Sequence, residues 1–229
     1  MSNSALQIEM LSRVASALGD MAKDVVFFRG CVTGLLVEDS FTLEHVRFTE
    51  DVDLIVNIMT QADWNQLQSK LRKRGFKENM EDTVICRMRL GGLKVDFMPI
   101  EKDILGFTNQ WYKGALKNPV KHKLTDEMTI NVIAPEYFIA TKIEAYEGRG
   151  NNDLLMSHDI EDVLTIFDGR VQIVEEINAA EDNIRIYIKA KLKGLMQKDS
   201  FEYVIQSISR NNMQREKVIF DRIKACLVY

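Results

Sequence analysis

Val84-Ile-Cys-Arg-Met-Arg-Leu-Gly-Gly-Leu-Lys-Val-Asp-Phe-Met-Pro-Ile100 is the stretch on which the fold turns. Apolar and polar side chains alternate on both sides of Gly91-Gly92. This predicts two β-strands joined by a two-residue hairpin, a loop that needs the positive φ values glycine tolerates. With Leu90 opposite Leu93 the register follows. Cys86, Met88, Leu90, Leu93, Val95 and Phe97 fall on one apolar face; Arg87, Arg89, Lys94 and Asp96 fall on the other, with Arg87 directly opposite Asp96. The hairpin therefore aims Asp96 away from the apolar packing face.

Working upstream, Asp51–Ile58 (DVDLIVNI) reads as a strand, and Val25–Phe28 (VVFF) as an earlier one that stops at Gly30. Residues two apart in a strand share a face. Asp51 and Asp53 thus project together while Val52, Leu54 and Val56 point into the core. Two carboxylates held that close repel, and a bound Mg²⁺ or Mn²⁺ would remove the repulsion and use their oxygens. Asp96, from a neighbouring strand, would complete a site for two ions. One would grip a nucleoside triphosphate; the other would activate an acceptor hydroxyl for in-line attack on the α-phosphorus, with Asp96 as a candidate to take its proton. Taken alone, Asp51-Val52-Asp53 reads more readily as a surface strand carrying two solvated acids; the glycine turn and Asp96 on the polar hairpin face tip the reading to catalysis.

The remaining elements surround this centre. Leu11, Val14, Leu18 and Met21 recur at helical spacing and predict an amphipathic opening helix. The segment after Gly30 could start a helix. Thr60 reads as an N-cap with Asp63 at the third helical position, followed by a buried stripe of Trp64, Leu67 and Leu71 that ends near Gly75. Two short extended segments lie between Lys117 and Val132, and Pro135 opens a helix through Tyr146. After the polar loop 148–157, the pattern is helical from His158 onward. Mixed strands and helices followed by helices alone predict an α+β domain over 1–133 and a helical C-terminal part over 134–229.

Bulk properties narrow the classes. A chain of 229 residues, 46% hydrophobic, can bury one sizeable core or a catalytic domain with a helical extension. The formal net charge of -4 argues against a general nucleic-acid coat, whose affinity comes from neutralising phosphates. Cys31, Cys86 and Cys226 are scattered and read as reduced thiols, not a disulfide frame or a zinc site. MSNSALQIEM lacks the pattern of a secretory signal, and no apolar run is long enough to span a bilayer. A cytoplasmic enzyme with no membrane partner is expected.

Arg29-Gly-Cys-Val-Thr33, Arg47-Phe-Thr-Glu-Asp-Val-Asp53 and Val95-Asp-Phe97, in this order, resemble the nucleotidyltransferase superfamily with its polymerase-β-like fold. Within it the chain looks most like AbiEii-type toxin nucleotidyltransferases. The resemblance implies a mixed sheet flanked by helices, with Asp51, Asp53 and Asp96 as catalytic metal ligands. It also implies a glycine turn whose backbone N–H groups approach the triphosphate. Here Gly30-Cys31 stands where the family prefers Gly-Gly or Gly-Ser. Cysteine is small and keeps its N–H, and Thr33 could supply the hydroxyl that serine usually gives. Arg47 and Thr49 match the family's Arg-x-Ser/Thr. Either Arg47 orients the acidic strand or meets phosphate, or it is a surface arginine beside acids.

Thr141-Lys-Ile-Glu-Ala-Tyr-Glu-Gly-Arg149 followed by His158-Asp-Ile-Glu-Asp162 resembles a second AbiEii pattern, with His158 where a basic residue is usual. Lys142, Ala145 and Arg149 would share a helical face suited to a triphosphate. The resemblance gives Asp159 a structural or catalytic role, including an ion pair with Lys142; Asp162 can also be read as complementing a helix dipole. Three locally basic stretches, Lys70–Lys77, Lys113–Lys123 and Arg185–Lys198, suit an RNA acceptor such as a tRNA end or are solvated helix faces. The expected activity is transfer of NMP from an NTP to an acceptor. The family implies a toxin or phage-defence setting, with RNA as acceptor and a cognate antitoxin as partner. A small-molecule nucleotidyltransferase of the aminoglycoside-modifying kind is the rival enzyme. A non-catalytic nucleotidyltransferase-fold binding module is the rival of another class.

Overall fold

Val25–Phe28 (β1) is buried at all four positions, which accounts for its unbroken apolar composition: neither face of the strand meets water. The computed structural model describes residues 3–102, 104, 106, 108–149 and 153–228. Six further strands join β1 in one mixed sheet: β2 (Asp51–Val56), β3 (Phe76–Lys77), β4 (Arg87–Leu90), β5 (Leu93–Pro99), β6 (Val120–Thr125) and β7 (Met128–Val132). Their order across the sheet is β3-β4-β5-β2-β1-β7-β6. β2 runs antiparallel to β1 and parallel to β5, and β1 runs parallel to β7.

The hairpin has the expected register, with Leu90 opposite Leu93 and Arg87 opposite Asp96. Gly91 turns the chain at φ 62°, a conformation that a side chain would disfavour. Met88, Val95 and Phe97 are fully buried, and Phe97 packs near Trp64 and Phe76 with ring centroids 6.3 and 5.7 Å away. Trp64 is delivered by helix Gln61–Lys73. Thr60 and Asp63 cap that helix reciprocally, each side chain accepting from the other's backbone N–H. Along β2 every residue after Asp51 is buried, so this strand is covered on both faces except where it begins. Asp51 stands at that uncovered beginning.

The chain divides into two compact units, one of residues 1–32 and 47–134, the other of residues 33–46 and 135–229. The segment 33–46 thus belongs with the helices of the second half and not with the N-terminal α+β domain expected from chain order. Backbone bonds fix it there: the N–H groups of Glu38 and Asp39 donate to the carbonyl of Gly169 at 2.9 and 3.1 Å. Arg215 completes the anchorage, donating to Asp39 at 2.8 Å, to Asp168 at 2.7 Å and to the Thr42 hydroxyl, which itself donates to Asp168 at 2.6 Å. Burial opposes the Arg215 charge, but Asp168 and Asp39 outweigh it and hold the guanidinium above its ordinary range.

Helices Pro135–Gly148 and His158–Gly169 form the middle of the second unit, joined by Asp182–Leu195, Phe201–Ile208 and Met213–Val228. Pro135 occupies the first helical position, as its fixed φ and missing donor favour. Part of the expected polar loop, residues 150–152 with Gly150, lies outside the described residues. No helix among the described residues is long and apolar enough to cross a membrane.

Candidate active site

β2 and β5 lie side by side and in parallel, with Asp53 opposite Asp96 and Asp51 opposite Lys94. Opposed residues on paired strands project to the same side, so Asp51, Asp53 and Asp96 all emerge on one face. The shared face that the sequence reading required is present, but among the described residues the three side chains do not meet around a common metal position. Asp53 and Asp96 are buried (7% and 5% exposed), while Asp51 stands at the open end.

The charges on this face balance within the protein itself. Arg87 reaches across from β4 and grips Asp96 with both prongs, Nε to Oδ1 at 2.6 Å and Nη2 to Oδ2 at 2.9 Å. The same Nη2 reaches Asp51 Oδ2 at 3.0 Å. Arg29 Nη1 donates to Asp53 Oδ1 at 2.5 Å, and Lys94 Nζ lies 3.7 Å from Asp51 Oδ1. Three cations thus answer three carboxylates. The repulsion that the sequence reading assigned to a metal ion is here relieved by arginine and lysine. The bidentate bond to Asp96 holds the Arg87 guanidinium well above its ordinary range. Burial opposes the charge on Arg29, but Asp53 outweighs it, and this guanidinium too is raised. Cys86, buried beneath the hairpin and near Asp96, is pushed up to about 12.

Arg29 is placed by an unusual backbone. Its φ of 62° is a left-handed value that costs a side-chain-bearing residue about 1–2 kcal/mol. It turns the chain directly off β1, so that Phe28 packs inward while the guanidinium swings over the acids. Tyr112, at the start of helix Tyr112–Lys117, stacks edge-on against Phe28 at 5.1 Å and accepts a long 3.4 Å bond from Arg29 at its hydroxyl.

Behind Arg29 comes the glycine turn. Residues Arg29–Val32 form a 3₁₀ turn that passes into a single α-turn, Thr33–Leu36, a much shorter helix than the sequence pattern allowed. At Gly30 a Cβ would lie 2.6 Å from Cγ2 of Thr49 and 3.5 Å from Nη2 of Arg47. This close approach explains the glycine, and it brings Arg47 and Thr49 to the turn. The Thr49 hydroxyl is buried without a hydrogen-bond partner among the described residues. Cys31 is fully buried, and its thiol donates to the Phe28 carbonyl at 3.0 Å. The Thr33 hydroxyl, in the second unit, is likewise buried and unpartnered among the described residues.

The second constellation is a buried ionic knot within the helical unit. Lys142, 5% exposed, donates to Asp159 at 3.1 Å and to Asp162 at 2.5 Å. Arg149, just past the end of helix Pro135–Gly148, adds a 3.3 Å contact to Asp159. The expected ion pair of Lys142 with Asp159 is present, and Asp162 joins it. Both aspartates sit in the first turns of helix His158–Gly169, capped by Ser157. His158 Nδ1 meets Glu161 at 2.9 Å.

The donor set offered by Asp51, Asp53 and Asp96 suits a hard divalent cation such as Mg²⁺ or Mn²⁺, which prefers oxygen ligands. Among the described residues no group of three His, Cys, Asp or Glu side chains is arranged around a common metal position. The reason is local: the carboxylate oxygens are turned onto Arg87 and Arg29. Arg29, Arg87 and Tyr112 are the site residues that sequence reading left without a role. The register that set Arg87 opposite Asp96 was the available signal for one of them.

A mixed seven-stranded sheet with acids at the head of a central strand and an accompanying helical unit is a nucleotidyltransferase-like fold. Its likeness is to the crystal structure of an antigenic nucleotidyltransferase-like protein from Paracoccidioides brasiliensis. The TM-score is 0.52 at 16% identity, over 93% of this chain and 92% of that one. No protein-family model matches the sequence, and a search of curated proteins finds no match.

Proposed function

We propose that the chain is a metal-dependent nucleotidyltransferase of the polymerase-β-like superfamily that transfers NMP from an NTP to an acceptor. The observation that carries this reading is the shared face of Asp51, Asp53 and Asp96 on two adjacent parallel strands. In it these three residues hold Mg²⁺ or Mn²⁺, which when bound would supply Lewis-acid stabilisation of the triphosphate and lower the pKa of an acceptor hydroxyl. Gly30, Cys31, Arg47 and Thr49 form the turn that faces the phosphates in this reading, and the Thr49 hydroxyl, which has no partner among the described residues, is a donor suited to one. Thr33 is assigned to the same task. Lys142 and Asp159 serve by locking helix Pro135–Gly148 to helix His158–Gly169, with Arg149 as the exposed cation of that group. The acceptor in this reading is RNA, in particular tRNA, and the setting is that of an AbiEii-type toxin or phage-defence enzyme with a cognate antitoxin.

The test is to incubate the purified protein with each α-labelled NTP, Mg²⁺ or Mn²⁺, and total tRNA. Label on RNA supports the reading. Label appearing only on aminoglycoside-like acceptors would move it to small-molecule transfer. Absence of transfer with either metal and every acceptor would leave a binding module.

A further inference from the structure

Arg87 competes for the same oxygens that a divalent cation would need. Its three hydrogen bonds, of 2.6, 2.9 and 3.0 Å, span Asp96 and Asp51, and its side chain is only 15% exposed. The clamp is built by the fold. Antiparallel pairing of β4 with β5 sets Arg87 opposite Asp96, and parallel pairing of β5 with β2 brings Asp51 alongside. Together with Arg29 on Asp53 and Lys94 beside Asp51, it leaves the acidic face with no uncompensated negative charge. A divalent ion gains little by approaching a face already neutralised; it must first displace a bidentate guanidinium.

We propose that Arg87 is an internal counter-ion that holds the carboxylates closed to metal, so that divalent cation and nucleoside triphosphate load together. This rests on the nucleotidyltransferase reading above and names the regulation of the same site. Arg87 is a positioning residue that acts through Asp96 and Asp51. Bare metal offers the displaced arginine nothing in return. Metal arriving with a triphosphate offers it a new partner, because the planar guanidinium fork matches phosphate oxygens as well as it matches a carboxylate. Arg29 stands in the same relation to Asp53, under the added strain of its left-handed backbone.

The experiment is a titration of the full-length protein with Mn²⁺ in the absence of nucleotide, following the paramagnetic resonance signal of the free ion. Wild type is compared with Arg87→Gln and Arg87→Lys. The expected result is that Arg87→Gln binds Mn²⁺ about ten-fold or more tightly than wild type, with Arg87→Lys between them, since lysine keeps the charge but loses the fork. Adding Asp96→Asn to Arg87→Gln takes the gain away. A residue that merely supports the fold would lower affinity when changed, so a gain is diagnostic. Far-UV circular dichroism confirms folding; if Arg87→Gln does not fold, the direction of the Arg87→Lys change decides. If the arginine variants bind no more tightly than wild type, while Asp53→Asn weakens wild-type binding, the counter-ion proposal is overturned and the metal-site reading stands. If no form binds Mn²⁺ at millimolar concentration, both fall.

Discussion

Replacing Lys142 by methionine tests the ionic knot at the middle of the helical unit. The side chain keeps its length and apolar stem but loses the ammonium that lies 3.1 Å from Asp159 and 2.5 Å from Asp162. Both carboxylates are buried, at 4% and 3% exposed, and would then face each other across an uncharged group. Breaking a buried pair by removing one partner costs about 3–5 kcal/mol, because the remaining charge is left desolvated. Arg149, 3.3 Å from Asp159 and largely exposed, still compensates part of that charge and places the expected loss near the lower end, about 3 kcal/mol. For a unit of this size, such a loss lowers the melting temperature by more than about 10 °C. Far-UV ellipticity is the appropriate signal, since both tryptophans, Trp64 and Trp111, belong to the other unit. The triple variant Lys142→Met, Asp159→Asn, Asp162→Asn removes the charges together and is expected to recover most of the loss. A single variant that melts with the wild type would refute the reasoning, because the knot would then contribute nothing.

Further outcomes follow from the structure. Asp53→Asn should abolish nucleotidyl transfer while leaving the ellipticity spectrum unchanged; surviving turnover would remove Asp53 from the site. Gly169→Ala puts a Cβ within 2.5 Å of Val37 Cγ1 and 2.9 Å of Thr42 Cβ, so urea denaturation should show a loss of about 1–3 kcal/mol. Burial pushes the Cys86 and Cys226 thiols up to about 12 and about 11, so iodoacetamide should label them only after unfolding. The same shift has a defined sign in stability. The unfolded thiol ionises near its ordinary value of 9.0 and the folded Cys86 thiol only near 12, so its contribution is complete below about pH 9 and is lost as pH rises toward 12.

Much of the sheet was readable because strand faces follow a period of two. The hairpin register, the burial of Met88, Val95 and Phe97, and the common face of Asp51 and Asp53 all follow from alternation and one Gly-Gly turn. Periodicity says which side chains share a face, but not which charges on that face neutralise one another. Arg87 was in register with Asp96, yet its reach to Asp51, 36 positions away in the chain, depends on the β2–β5 pairing. The left-handed backbone at Arg29 had no sequence signal, since glycine or asparagine is the usual marker of such a value. Tyr112 follows a stretch without periodicity. The membership of 33–46 in the helical unit was hidden for a similar reason: chain order suggested the first domain, whereas Arg215 and Gly169 hold the segment from far downstream.

That excursion of the chain sets an order of events during synthesis. Thr42 emerges from the ribosome long before Arg215, its partner 173 residues later, so the helical unit cannot close its polar anchorage until that arginine has been made. Closing such a long loop is slow by its entropy alone. Helix His158–Gly169, which covers residues 33–46, is made earlier, so a nascent chain halted before Met213 would hold that strap without its Arg215 anchor.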